Sequence, residues 1–340
     1  MGGLRAAQRQ RHRGRVPVQL DERAGPARPG IPARGTARAR QPVVGGSVRF
    51  LVFDDDRLGV AHEGTVTDVT SLVPGGASPG GPLQRLLDAG SSGELTADRI
   101  AGLPSRPLAE VLIRPPLPRP GKVIGAPVNY LDHKAEMSET HSIADLGVFL
   151  KASSSVIGHG GTVLLPYSDK RTDQEGELTV VIGQTARHVP VPDALDHVFG
   201  YTCGLDMTVR STEDRSTRKS FETFTPLGPV VVTADEIPSP GDLELVCRVN
   251  GEVRQRTSTA DLLFGVAELV SYASSVMTLW PGDVILTGTP AGVGPVADGD
   301  VVEVEISRIG SLTVHVSAAE ARPYVERPGA PRTTVSPGAD

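Results

Sequence analysis

The chain has 340 residues with 34 Lys and Arg against 40 Asp and Glu, and its formal net charge of −6 conceals a lopsided distribution. Residues 1–47 hold ten arginines, no lysine and only Asp21 and Glu22, a net of +8, so the remaining 293 residues carry −14. A body that anionic argues against nucleic-acid binding, because phosphate is neutralised by Lys and Arg, and no apolar run reaches the ~18 residues of a membrane span. Gly 39 and Pro 29 make one residue in five, which favours short strands and turns over long helices. Cys203 and Cys247 are too few for a disulfide framework or a Cys-based zinc site, and a reducing, cytoplasmic compartment is expected.

The first 47 residues repeat Arg, Ala, Pro and Gly without an aromatic residue or apolar periodicity, a composition that cannot offset its chain entropy by burial. They are expected to be disordered, with Val48 as the true start and the preceding segment a gene-model extension. Alternating apolar runs from Val48 to residue 70 predict two or three strands, and a helix is expected near 83–89. The Pro-rich stretch 114–122 reads as a semi-rigid connector. Beyond it, short strands are expected at 180–183, 201–209, 229–233, 243–249, 252–257, 283–289, 301–306 and 312–316. Asn250-Gly251 between two of them is a strong hairpin signal. One helix is expected over 260–279, with Leu263, Val266, Val270 and Met277 on its core face. After Arg322 the Pro-rich tail is expected to fray.

Three stretches could carry chemistry. In a strand over 172–183, Glu175 and Glu177 would present carboxylates about 7 Å apart on one face. They form either a solvated edge or a hard-cation site. Asp206 interrupts an almost wholly apolar strand, and a buried carboxylate needs a partner. A metal shared with the two glutamates, an N-cap or a pairing with Arg210 would each satisfy it. His133 and Glu136 lie three apart, neighbours on a helical turn. They are either a surface pair or a general base whose imidazole is held and made more basic by the carboxylate. Residues 288–294, GTPAGVG, lack the ending of a phosphate loop but suit close backbone approach to a ligand.

NYLDHKAEM, DQEGELTVVIG, GYTCGLDMTVR, RKSFETFTPLGP, VNGEVRQ and PGDVILTGTPAGVG occur in an order that resembles the fumarylacetoacetate hydrolase family over about residues 120–317. The resemblance implies a β-rich α+β fold, with a mixed β-sheet roll as catalytic domain at 119–318. A small N-terminal α+β domain is then expected at 48–118 and a disordered tail at 319–340. It further implies Mg²⁺, or Mn²⁺ or Ca²⁺, held by Glu175, Glu177 and Asp206. His133 and Glu136 match the family's water-activating dyad, on a segment that closes over substrate in relatives. Arg210 and Lys219 match residues facing the substrate's anionic oxygens, with Lys219 also neutralising or protonating the developing carbanion. Gly288 and Thr289 match the loop holding its carboxylate. A homodimer and a small anionic keto-acid substrate are implied too.

Where many relatives follow the arginine with an acid and a glutamine, this chain has Ser211-Thr212-Glu213-Asp214, which leaves recognition of the distal substrate group open. The compact NYLDHKAE form is similar to the acylpyruvate hydrolase, decarboxylase and isomerase branch. The expected function is metal-dependent hydrolysis of a C–C bond in an acylpyruvate or fumarylacetoacetate-like β-diketo acid, from aromatic catabolism. The alternatives on the same scaffold are a β-keto acid decarboxylase and a 2-hydroxymuconate-type isomerase or hydratase. A non-catalytic protein with a nucleic-acid-binding Arg-rich arm is the alternative of another class.

Overall fold

A computed structural model describes residues 17, 19–20, 48–90, 95–138 and 140–329. Short apolar runs punctuated by Gly, Pro and Asp form strands, and twelve of these assemble into one mixed sheet. Its path runs Ser105–Pro107, Thr65–Asp68, Arg57–His62, Arg49–Phe53, Thr225–Thr233, Val198–Leu205, Gly176–Ile182, Val284–Leu286, Val123–Gly125 and Phe149–Lys151. Neighbours along it are antiparallel except Val284–Leu286 beside Val123–Gly125. A second sheet of five strands carries Glu252–Ser258, Glu244–Val249, Val301–Ile306, Gly310–Ser317 and Thr162–Leu164.

The central strands are covered on both faces, which is why they read as nearly unbroken apolar runs. Along Gly176–Ile182, Leu178, Val180 and Ile182 pack with Val302, Val304 and Leu312 of the five-stranded sheet. Val181 points the other way, joining Phe199, Leu286 and the helix Gly81–Asp88 through Leu83, Leu86 and Leu87. The expected fold class is therefore what the chain adopts. The hairpin also forms as expected: Glu244–Val249 pairs with Glu252–Ser258, and Asn250 and Gly251 take φ of +54° and +82°, as a two-residue turn between twisted strands requires.

Several expectations change. Strand Arg49–Phe53 hydrogen-bonds to Thr225–Thr233, so the N-terminal unit and the body share one sheet across the Pro-rich stretch. The helix expected over 260–279 is confined to Val266–Val276. Asn129 holds this boundary: its side chain accepts from Phe264 N and donates to Phe264 O, both at 2.8 Å, which keeps Phe264 out of the helix, after the separate 3-10 turn Thr259–Asp261. Leu263 consequently lies outside the helix and is exposed, while Val266 and Val270 are buried as expected. At the other end Leu279 pairs with Ala186 instead of continuing the helix.

The tail expected to fray is anchored as far as the structure describes it. Tyr324 sits edge-on to Tyr167 at 4.9 Å and bonds Glu213, and Arg327 lies 3.6 Å over the Tyr324 ring. The disorder expected for residues 1–47 falls almost wholly outside the described residues. Within them, Ser311 N donates to Gln19 O at 3.0 Å and Leu20 packs on the core.

Candidate active site and metal centre

The register of two strands builds the acidic centre. Gly176 pairs with Leu205, which sets Glu175 beside Asp206, and Asp206 N donates to Glu175 O at 2.9 Å. Glu177 stands opposite Gly204, where no side chain intrudes. The single strand expected over 172–183 is broken at Glu175, because Gly176 N turns aside to the Gln255 side chain at 2.9 Å. The two glutamates nonetheless keep a common side. Among the described residues, Glu175, Glu177 and Asp206 are the one group whose ligand atoms lie within 4.8 Å of one another, and all three are buried.

Their partners are unequal. Glu175 accepts from Arg210 Nη2 at 2.9 Å and Lys219 Nζ at 2.7 Å. Asp206 accepts from Lys219 Nζ at 2.5 Å and Lys151 Nζ at 2.6 Å. Glu177 has one bond, from Gly288 N at 2.6 Å, and no cationic side chain among the described residues. Burial works against the Glu175 carboxylate, but Lys219 and Arg210 outweigh it and hold its pKa at about 2. Burial, then the charges of Asp206 and Glu175, push Glu177 well above the usual carboxylate range. A buried carboxylate beside two others, with one backbone donor, needs a proton or a cation. The donor set is all oxygen, so these residues fit a hard divalent ion.

Around this centre lies a cavity of about 190 Å³, lined by His133, Glu175, Glu177, Asp206, Arg210, Lys219 and Thr289 among others. His133 is carried on the short helix Leu131–Glu136 and buried there, with Nδ1 3.0 Å from Glu136 Oε2. Opposite a carboxylate Nδ1 bears the proton, which leaves the lone pair on Nε2. Glu136 Oε1 also accepts from Gly292 N at 3.1 Å, tying this helix to the loop after Val284–Leu286. In that loop Gly288 has φ +98°, and a Cβ on it would lie 2.6 Å from Asn129 Cβ, so only glycine fits there. The Thr289 hydroxyl donates to Gly176 O at 3.0 Å and accepts from Gln255 Nε2 at 2.7 Å.

Eight of the nine residues singled out in the sequence thus meet directly at the cavity or through Glu177, and Glu136 joins them through His133. Arg210 and Lys219 differ from expectation in how they are used: besides lining the cavity, both are bonded to the acids, and Arg210 Nε also holds Asp173 at 2.6 Å. Sequence reading missed Lys151, Asp173, Gln255 and Asn129. Asn129, Asp173 and Gln255 lie within the strings that carry the resemblance, though no role was read from them; Lys151 lies outside those strings, at the end of the strand Phe149–Lys151. A larger cavity of about 670 Å³ lies elsewhere, lined by Leu108, Ile113, Arg114, Ile157, His159 and Thr162 among others, and no carboxylate among the described residues lines it.

A buried oxygen-donor triad beside a His–Glu dyad, on a β-rich scaffold of mixed sheets, defines a metal-dependent enzyme. Residues 122–317 match the model of the fumarylacetoacetate (FAA) hydrolase C-terminal family. Maleylpyruvate hydrolase of Aquipseudomonas alcaligenes is 47% identical over 286 residues, covering 79% of this chain and 99% of that one. The crystal structure of maleylpyruvate hydrolase from Sphingobium sp. SYK-6 in complex with manganese(II) ion and pyruvate superposes with a TM-score of 0.70 at 38% identity, covering 81% of this chain and 99% of that one. The mitochondrial oxaloacetate tautomerase FAHD2A of Homo sapiens is 40% identical over 225 residues, 62% of this chain and 71% of that one. The chain belongs to the fumarylacetoacetate hydrolase family.

Proposed function

We propose that this protein is a divalent-metal-dependent hydrolase that cleaves a C–C bond in an acylpyruvate or related β-diketo acid. The observation that carries this reading is the convergence of Glu175, Glu177 and Asp206 on a cavity that also holds His133 paired to Glu136. A divalent cation, when bound, supplies Lewis acidity toward the oxygens of a 2-oxo acid. The chain's own residues do the proton work. His133 Nε2 takes a proton from water as its oxygen adds to the distal carbonyl carbon, while Glu136 fixes the tautomer and stabilises the imidazolium. The C–C bond breaks, its electron pair passes to the pyruvate-side enolate, and Lys219 offsets that charge until a proton arrives. The products are a carboxylic acid and pyruvate.

The pyruvate bound by the Sphingobium relative and the name of the Aquipseudomonas one support an acylpyruvate substrate. We extend the reading to Mg²⁺ as the working ion, a homodimer and a role in aromatic catabolism on the strength of the resemblance, and to a cytoplasmic setting on the scarcity of cysteine. The human tautomerase favours a second reading, proton shuffling on an oxaloacetate-like keto acid without hydrolysis. A panel of acetylpyruvate, maleylpyruvate and oxaloacetate with Mg²⁺, Mn²⁺ or chelator separates the two. Pyruvate release from acetylpyruvate or maleylpyruvate, with loss of the enol absorbance and no CO₂, supports hydrolysis; enol–keto conversion of oxaloacetate alone, without pyruvate or CO₂, supports the tautomerase.

A further inference from the structure

We propose that residues 321–327 are a strap that positions the basic wall of the active-site cavity, with Tyr324 and Glu213 as positioning residues for substrate binding. The proposal rests on the reading above in one respect, that the ligand of this cavity is a 2-oxo acid.

Arg210, Arg215, Arg218 and Lys219 line the cavity, and all four lie on or immediately beside one short link, residues 211–218. Little within the link holds it in place. Its ordered part is the single helical turn Arg215–Arg218, capped by Asp214, which accepts from Ser216 N at 2.8 Å. One turn is far too short to be stable by itself. Among the described residues, the side chains of 211–217 hydrogen-bond a distant part of the chain only through Thr212 and Glu213, and both reach the tail. Glu213 accepts from the Tyr324 hydroxyl and from Arg327 Nε at 3.0 Å, and Thr212 bonds the same hydroxyl.

The tail can fix the link because it is itself fixed. Arg322 N donates to Pro166 O at 3.1 Å, Ser168 N to Arg322 O at 3.0 Å and Tyr324 N to Asp169 Oδ1 at 2.7 Å. Lys170 Nζ and the Arg327 guanidinium lie over the Tyr324 ring, 4.5 and 3.6 Å from its centroid, which adds cation–π attraction. An aromatic path then leads to the other end of the link. Tyr324 meets Tyr167 edge-on at 4.9 Å, Tyr167 meets Phe221 edge-on at 5.5 Å, and Phe221 lies 5.3 Å from Phe224. Phe221 follows Lys219 by two residues, and Phe224 O accepts from Lys151 Nζ at 2.9 Å. The strap therefore bears on both ends of the segment that carries the cations, through Glu213 near Arg210 and through Tyr167 and Phe221 near Lys219.

A cationic side chain on a loose link loses backbone and rotamer freedom when it engages an anion, and one on a link already held loses less. Detaching the strap returns that entropy loss to the binding step. The metal centre and His133 are left in place, because residues 321–327 line no part of the cavity. The strap also lies beyond residues 122–317, which match the family model.

The test combines calorimetric titration of pyruvate into the Mn²⁺-loaded full-length protein with amide exchange over residues 211–221. Tyr324→Ala is expected to weaken pyruvate binding about tenfold and to speed exchange in the link, while Mn²⁺ affinity stays within about twofold of wild type. Tyr324→Phe, which keeps the ring but loses the hydroxyl bond, should fall between the two. Val325→Ala, on the same turn but exposed, should match wild type. Melting temperature, measured in parallel, identifies a Tyr324→Ala protein that has failed to fold, and Glu213→Gln then carries the test. Faster exchange with unchanged pyruvate affinity would make the strap merely structural and overturn the proposal. Parallel loss of Mn²⁺ and pyruvate binding, or an equal effect of Val325→Ala, would overturn it too. Because no turnover is needed, these outcomes are independent of the hydrolase reading, which stands or falls on pyruvate release from an acylpyruvate.

Discussion

The strand Val284–Leu286 has a buried acid at each end, and the two are put to opposite uses. Before it, Asp283 stands by itself: its Oδ2 accepts from Lys122 Nζ at 2.5 Å and Trp280 N at 2.7 Å. One carboxylate meets one ammonium, and the pair ties the start of this strand to the neighbouring strand Val123–Gly125. Beyond the other end, Gly288 N reaches Glu177, which shares its surroundings with two further acids. Both Asp283 and Glu177 are held above the usual carboxylate range, in each case chiefly by burial. Burial alone therefore does not mark a functional acid. What marks Glu177 is that its neighbours are acids, that no cationic side chain among the described residues bonds it, and that it opens on a cavity.

Substitutions at the two ends should separate accordingly. Glu177→Gln removes the carboxylate that is left without a cation and is expected to take activity to background and abolish Mn²⁺ binding. Thermal stability should hold or rise, since like-charge repulsion is relieved; a large drop in melting temperature would mean that Glu177 is structural after all. His133→Ala is expected to lower kcat by about 10²- to 10⁴-fold while Mn²⁺ still binds, as fits loss of a general base. Unchanged turnover would remove His133 from the chemistry.

Asp283→Ala should behave in the reverse way, leaving Lys122 facing a buried site and lowering unfolding stability by about 3 kcal/mol, read by denaturant titration, with Mn²⁺ affinity intact. The smallest effect concerns the C-terminal anchor. Hydrogen bonds from Ser211 and then Tyr324 depress Glu213 to about 2 from an ordinary 4.5. A depressed carboxylate contributes stability that is fully present above pH 4.5 and lost as pH falls towards 2. Amide protection across residues 319–329 should weaken over that window in wild type and lose this pH dependence in Glu213→Gln.

The same contrast explains how much was legible in the sequence. Asp206 was readable because a carboxylate in an apolar strand is conspicuous, Glu175 and Glu177 because residues two apart share one face of a strand, and His133 with Glu136 because three residues make a helical turn. Asn250-Gly251 was readable because two positive φ angles demand such residues. The pairing of Lys151 with Asp206 spans 55 residues, and the clamp of Gln255 on Gly176 spans 79. No local pattern encodes either one. The latter broke the strand at Glu175, and Asn129, 135 residues from Phe264, shortened the helix. Local propensity yields wherever a distant side chain offers the backbone a better partner. The tail misled for the same reason: its composition is that of a loose end, but Tyr324 and Arg327 find partners in Tyr167 and Glu213.

The most direct test of the central claim is a Mn²⁺ titration followed by electron paramagnetic resonance on wild type, Glu177→Gln and Asp283→Ala. One tightly bound ion per chain in wild type and in Asp283→Ala, with none in Glu177→Gln, is the result predicted for a cation centre built by converging acids. Undiminished binding in Glu177→Gln, or no tight binding in wild type, would contradict it.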